Sequence, residues 1–315
     1  MRIGINATTL LRRADIDGFV EHALAAEEAG FSSYWLAEHP TGGFDALTVL
    51  TVIGQSVEQM ELGTAIVPTY PRHPAVLAGQ ALTTQAAING RLSLGIGMSH
   101  KAMLSDLGIA DDKPIRHLRE YLEILMPLIE DGRVDTSGDT LSAKATVMYP
   151  TDSPPEVTVA ALGPQALRVA ARHTAGTNLA WCGPRTIRDH ISPTITDAAD
   201  AAGRPPPRII ATLPVCVTDD PATTRDRLTA NTVMYTELPS YQAVFAREGV
   251  ETTGELGLIG TEDEVEHLIA NLADCGVTDF AASEFGLTSD DRARTRALLT
   301  RLARQQTDHQ QGATA

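Results

Sequence analysis

Two histidines, a carboxylate and a glycine-opened turn are the residues of this sequence best suited to chemistry. His39 follows Glu38 directly, and His100 follows the run Gly97-Met98-Ser99. An unperturbed imidazole titrates near ~6.5, so either histidine could give or take a proton at neutral pH. Each could equally be a hydrogen-bonded structural histidine at a loop entrance. Leu162-Gly163-Pro164 sets a glycine and then a proline at the start of an expected helix, with Gln165 and Ala166 in its first turn. Such a start leaves N–H groups free at the positive end of the helix dipole, an anion site suited to a cofactor phosphate, or else it is an ordinary turn. Gly95 and Gly97 could let a flat ring approach the backbone or merely ease a corner of the sheet. Trp181 could stack on such a ring or pack in the core. Arg72 and Arg185 could hold anions or lie solvated, and Glu284 could be a paired interior carboxylate.

Every one of these residues falls at or just beyond the end of an expected strand. Short apolar runs alternate with segments of helical period, the pattern of a parallel sheet covered by helices. The expected strands are Arg2–Asn6, Ser32–Glu38, Glu61–Val67, Arg91–Gly97, Glu156–Leu162, a weak one around Thr177–Trp181, Arg208–Val217 and Asp279–Phe285. Between them the spacing predicts helices over Asp17–Gly30, Asp45–Met60, Pro74–Asn89, Ile115–Asp131, Pro164–Thr174, Pro184–Ala202 and Thr261–Cys275, with Ser289–Gln306 last. Thr261 and Glu264 have capping-box spacing. The region 221–249 reads as helical with a break near Pro239. The polar stretch 132–155 reads as an excursion, with a hairpin around Ser137–Asp139. Together these predict a single (β/α)8-barrel domain over residues 1–306 and a disordered tail over 307–315. In such a barrel the active site lies at the C-terminal ends of the strands, which selects the residues named above.

The chain has 315 residues, a normal length for one barrel of about 250 residues plus insertions. Its net charge of −15 disfavours nucleic acid and anionic membrane surfaces as partners. Cys182, Cys216 and Cys275 are odd in number and far apart, which predicts a reducing, cytoplasmic setting and no structural zinc. The first residues lack the apolar run of a signal peptide, and no run approaches the ~18 apolar residues of a membrane span. The expected ligand is a small molecule. His39, His73 and His100 all follow strand ends, so a metal-dependent hydrolase is a further reading, although no HxH pair is present and the three lie on separate loops.

The segments AEEAGFSSYWLAEH, LGTAIVPTYPRHPAVLAGQA, GRLSLGIGMSH, VAALGPQAL and GTNLAWCGPR resemble the luciferase-like monooxygenase superfamily, and most closely its actinobacterial F420-dependent oxidoreductases. The resemblance covers most of residues 1–285. It implies a barrel with an insertion, often a homodimer, with the ring of coenzyme F420 (in other members FMN) at the strand ends. It implies a non-prolyl cis peptide at Ala65–Ile66, with Val67 beyond, behind the ring. Gly97, Met98 and Ser99 would touch the ring or its side chain, the Leu162–Gly163 turn with Gln165 and Ala166 would receive the phosphate, and Trp181 would contact the cofactor. Glu38 and His39 match an acidic–histidine pair in which the histidine is base toward a substrate hydroxyl. His100 falls where those enzymes carry a catalytic glutamate, a departure that leaves its role a proton relay. Ala175–Gly176 departs from an Asp–Gly pair. The activity implied is hydride transfer between F420 and an organic substrate, with an FMN-dependent monooxygenase as the alternative on the same scaffold.

Overall fold

A computed structural model describes residues 1–11, 15–40, 42–149 and 151–314, without the side chains of 307–314. Eight parallel strands close into a barrel with helices between them, a (β/α)8 architecture. In order they are Arg2–Asn6, Ser33–Leu36, Glu61–Thr64, Leu92–Gly97, Glu156–Val159, Gly176–Ala180, Arg208–Thr212 and Asp279–Glu284; the first pairs with the last, Ile3 beside Phe280. The third strand breaks at a cis Ala65–Ile66 peptide and resumes at Val67–Pro68 against the fourth. The seventh breaks at Leu213 and resumes as Pro214–Val217. There a short strand, Leu258–Gly260, takes the free edge beside it.

Local chemistry explains where most helices start. Asp15, Asp45 and Asp220 each accept a backbone N–H of the turn they precede, and the Thr261–Glu264 capping box forms as its spacing requires. The helix expected over Asp45–Met60 is only Ala46–Ile53, because the chain turns at Gly54. Region 221–249 is broken into Pro221–Asn231, a tight turn Val233–Glu237, and Pro239–Glu248. The hairpin pairs Arg133–Ser137 with Ser142–Thr146. The last helix is traced over Ser289–Thr314, so the disorder expected for 307–315 falls on side chains, and at Ala315 on backbone, outside the described residues.

The register of the strands aligns Trp35, Gly63, Ser93 and Glu156 with the barrel's inner face. The interior is layered. At the N-terminal end Arg208 donates to Glu61, Glu156 and Asp279, while Arg2 donates to Glu61 and Asp279. Burial disfavours the charge on Arg208, yet these carboxylates outweigh it and raise its pKa. Above this plug Trp35, fully buried, packs with Ile210 and Ala281 and donates its indole N–H to Ser33 Oγ at 2.8 Å. Only a glycine fits at 63: a Cβ there would lie 2.2 Å from the Trp35 ring. Higher still the inward residues are small and only half-buried (Ala65, Ala160, Ala180, Thr212 and Ser283), so the C-terminal end of the barrel is an open, shallow-floored well.

Candidate active site

The well's rim carries unusual backbone. Ser99, after the fourth strand, has φ 64°, and Trp181, after the sixth, has φ 56°. Non-glycine residues in the left-handed region are uncommon, and they concentrate at sites where side chains must be aimed. Met98, Leu162, Trp181 and Phe285 are apolar yet only half-buried, each at the end of a different strand. Gly97 has room only for hydrogen, with Ile66 Cδ1 2.8 Å from a notional Cβ; at Gly95 the Thr64 carbonyl would be 2.1 Å away, so this second glycine serves strand packing.

The two histidines face one environment. His100 is half-buried and His39 exposed. Burial, and then the positive charge His39 would carry, lower the pKa of His100, so it stays neutral at neutral pH. Its ring lies 5.8 Å from that of Tyr241. Glu38 is differently employed. It accepts from Arg72 at 2.7 Å and from the Ala46 N–H at 3.0 Å, and Arg72 also pairs with Asp45. Its carboxylate is spent on holding the loop between the second strand and its helix. That assigns Arg72 to an ion pair, and Glu38 to positioning.

Two helix starts at the rim invite comparison. At Gly183–Pro184 the carboxylate of Glu248 accepts the N–H groups of Arg185 (3.1 Å) and Thr186 (2.7 Å), so a side chain already fills this anion site. At Gly163–Pro164, among the described residues, no side chain caps the helix Pro164–His173, and nothing lies within 4 Å of a notional Gly163 Cβ. Gly163 and Gln165 are exposed and Ala166 is buried, while the Leu162 carbonyl bonds to His190 Nε2 at 3.0 Å.

Other candidates lie elsewhere. Glu284 points outward: burial would raise its pKa, but bonds with His22 and Arg296 outweigh that and hold it ionised. His73 caps its own helix, accepting the Ala75 N–H. Among the described residues no three His, Cys, Asp or Glu side chains are grouped to hold a metal. A 620 Å³ cleft between the hairpin and the helix Pro114–Glu130 is lined by Glu123, Pro127 and the hairpin strands, away from the rim.

Sequence reasoning missed two groups. Tyr235 and Tyr241 join the rings of Trp181 and His100 from region 221–257, which together with 132–155 is expected from sequence to face the substrate but carries no motif that singles these residues out. Behind the third strand, His117 bonds Thr69 Oγ1 at 3.1 Å and stacks on Tyr70 with ring centres 3.8 Å apart; burial pushes its pKa down to about 4. His117 sits in the first turn of the helix Pro114–Glu130, where nothing in sequence separates it from a surface histidine.

Comparison with known proteins returns one consistent kind. The family model for luciferase-like monooxygenase matches residues 1–279. An F420-dependent glucose-6-phosphate dehydrogenase from Beutenbergia cavernae is 30% identical over 291 residues, covering 86% of this chain and 79% of that protein. With several other such relatives the match spans about half to three fifths of their length. The coenzyme F420-dependent tetrahydromethanopterin reductase of Methanopyrus kandleri superposes with a TM-score of 0.79 at 20% identity, covering 95% of this chain and 97% of that one. The FMN complex of the oxygenating constituent of 3,6-diketocamphane monooxygenase from Pseudomonas putida gives 0.74 at 18%, covering 95% and 96%.

Proposed function

The chain belongs to the luciferase-like monooxygenase family and is an oxidoreductase, and from that premise we propose that it transfers a hydride between coenzyme F420 and a small organic substrate at the open end of its barrel. The observation that carries the reading is the contrast between the two helix starts: Glu248 fills one, while the other, Gly163–Ala166, offers uncapped N–H groups to a phosphate beside a floor of small residues. The residues fit the group. Ala65, Ile66 and Val67 would back the ring, Gly97, Met98 and Ser99 would flank it, Trp181 would contact it, and Leu162, Gly163, Gln165 and Ala166 would take the phosphate.

Bound there, F420 supplies a two-electron hydride acceptor or donor. The protein's own part is proton handling and exclusion of water. His100, neutral at neutral pH, is fit to accept a proton from a substrate hydroxyl, and His39 to pass it to solvent. Glu38 keeps His39 and Arg72 in position and is not itself the base.

The test is a titration of the purified protein with F420 and, in parallel, FMN. Saturable F420 binding with weak FMN binding supports the reading. Preference for FMN with oxygen consumption moves the protein to the monooxygenase branch, and binding of neither overturns both.

The working unit we propose is a homodimer. The exposed faces of helices Ala46–Ile53 and Pro74–Ala87 carry Thr48, Val52, Val76, Gly79 and Thr83, and neither 46–57 nor 74–90 contains a charged residue.

A further inference from the structure

The rim is spanned by a continuous row of rings. Trp181, after the sixth strand, meets Tyr235 with centroids 5.2 Å apart; Tyr235 meets Tyr241 edge-on at 5.4 Å; Tyr241 meets His100, after the fourth strand, at 5.8 Å, and Phe245 backs it at 6.5 Å. Tyr241 and Phe245 are buried, whereas Trp181, Tyr235 and His100 keep part of their surface open. Half-exposed aromatic surface facing a well is costly to leave wet and marks a ligand wall. The wall carries no charge at neutral pH: burial and His39 keep His100 neutral.

Among the described residues, several cations near the rim lie against carboxylates. Arg72 is held by Glu38 and Asp45. Lys101, largely exposed, faces Asp111 at 3.6 Å. Arg188 pairs with Asp189, while Arg185 is exposed. Among the described residues the row itself presents aromatic surface and no cationic side chain. A phosphate or carboxylate pressed against these rings would lose hydration that no stacking contact offsets.

We infer that the substrate carries an uncharged, flat apolar body bearing the carbinol or carbonyl, held against Trp181 and Tyr235 with its oxygen toward His100, and that it is preferred there to a sugar phosphate. This rests on the reading of the well as the redox site, and it separates the chain from the glucose-6-phosphate dehydrogenase it is similar to.

The first probe is acetophenone added to the cofactor-free protein, followed by tryptophan fluorescence. The chain has two tryptophans, Trp181 at the rim and Trp35 sealed inside the barrel. A saturable change is expected with acetophenone and none with glucose 6-phosphate. Trp181→Phe should abolish the change while Trp35 still emits, and Tyr235→Ala should weaken binding roughly tenfold through the lost ring contact. With F420 present, 1-phenylethanol should be oxidised to acetophenone, its carbinol hydrogen leaving as hydride to F420 and its hydroxyl proton to the protein, at a kcat/KM at least ~100-fold above that for glucose 6-phosphate. Saturable binding or turnover of glucose 6-phosphate in preference to the aromatic pair overturns the inference, as does an acetophenone response that survives Trp181→Phe. If acetophenone binds at Trp181 but F420 does not bind, the cofactor reading fails and the wall stands. If F420 binds and acetophenone does not, only the wall fails.

Discussion

Glu38 and His100 illustrate how two polar residues at neighbouring strand ends acquire different work. Glu38 has both oxygens occupied, one by Arg72 and one by the first N–H of the helix Ala46–Ile53. Glu38→Gln should therefore cost stability, on the order of 1–2 kcal/mol in urea melts, through weakened bonds to Arg72 and the helix start. The pH dependence of turnover should keep its shape, because no proton passes through this carboxyl. His100 has its pKa lowered by burial and by His39, so its neutral form persists below the ordinary histidine range. In the oxidative direction activity should stay high as pH drops past the usual imidazole value and decline only through the depressed pKa. His100→Ala should remove that acid limb and lower kcat/KM by ~100-fold or more. A loss confined to KM, with the limb intact, would assign the proton to another group.

At the scale of elements, the helix Pro164–His173 gives the sharpest test. Gly163 already has N-cap geometry, with φ −86° and ψ 150° and open space at its Cβ. Gly163→Asp should cap the helix, raise stability by a few tenths of a kcal/mol, and abolish cofactor binding, since its carboxylate takes the N–H groups a phosphate needs. A stabilised variant that binds F420 normally would place the phosphate elsewhere. The buried His117 ties the helix Pro114–Glu130 to Thr69 at the end of the third strand. Its folded pKa of about 4 lies below its unfolded value of about 6.5, so the unfolded chain binds the extra proton between those limits. The contribution of His117 is then full above about pH 6.5 and is lost on acidification toward about pH 4, at a cost on the order of 1–3 kcal/mol. His117→Gln should flatten that part of the stability curve in denaturant titrations at stepped pH.

These elements also mark what sequence can convey. Strands such as Leu92–Gly97 and helices such as Pro74–Ala87 are legible because apolar period, proline and glycine act over a few residues. Gly163-Pro164 signals a helix start for the same reason, but whether a carboxylate fills that start is decided by chain far away. Glu248 lies 63 residues beyond the Arg185 it caps, and no local pattern predicts it. The row from Trp181 through Tyr235 to His100 is assembled from three loops, so its parts read as isolated aromatics. The outward turn of Glu284 toward Arg296 likewise follows from strand register, which the strand's own composition leaves open.

For the whole molecule, charge and its absence divide the surface. A chain with net charge −15 leaves two adjacent helix faces without charged residues, the faces proposed above for the dimer. Val76 is 57% exposed, so Val76→Asp should leave the fold intact while setting two carboxylates near each other across a symmetric contact. Sedimentation velocity should report a dimer for the parent and a monomer for the variant; a monomeric parent would dismiss the interface. At the other pole, Arg208 with Glu61, Glu156 and Asp279 stoppers the barrel, and Trp35 fills the layer above. A vessel with one opening imposes a queue on whatever shares it. On the proposed arrangement, the molecule lying against Ala65 and Gly97 enters productively only before the one beneath the aromatic row, which blocks it when bound alone to the empty well, and it cannot leave until that one has gone. Turnover should accordingly follow a compulsory order, last in and first out, legible in product-inhibition patterns before any complex is seen.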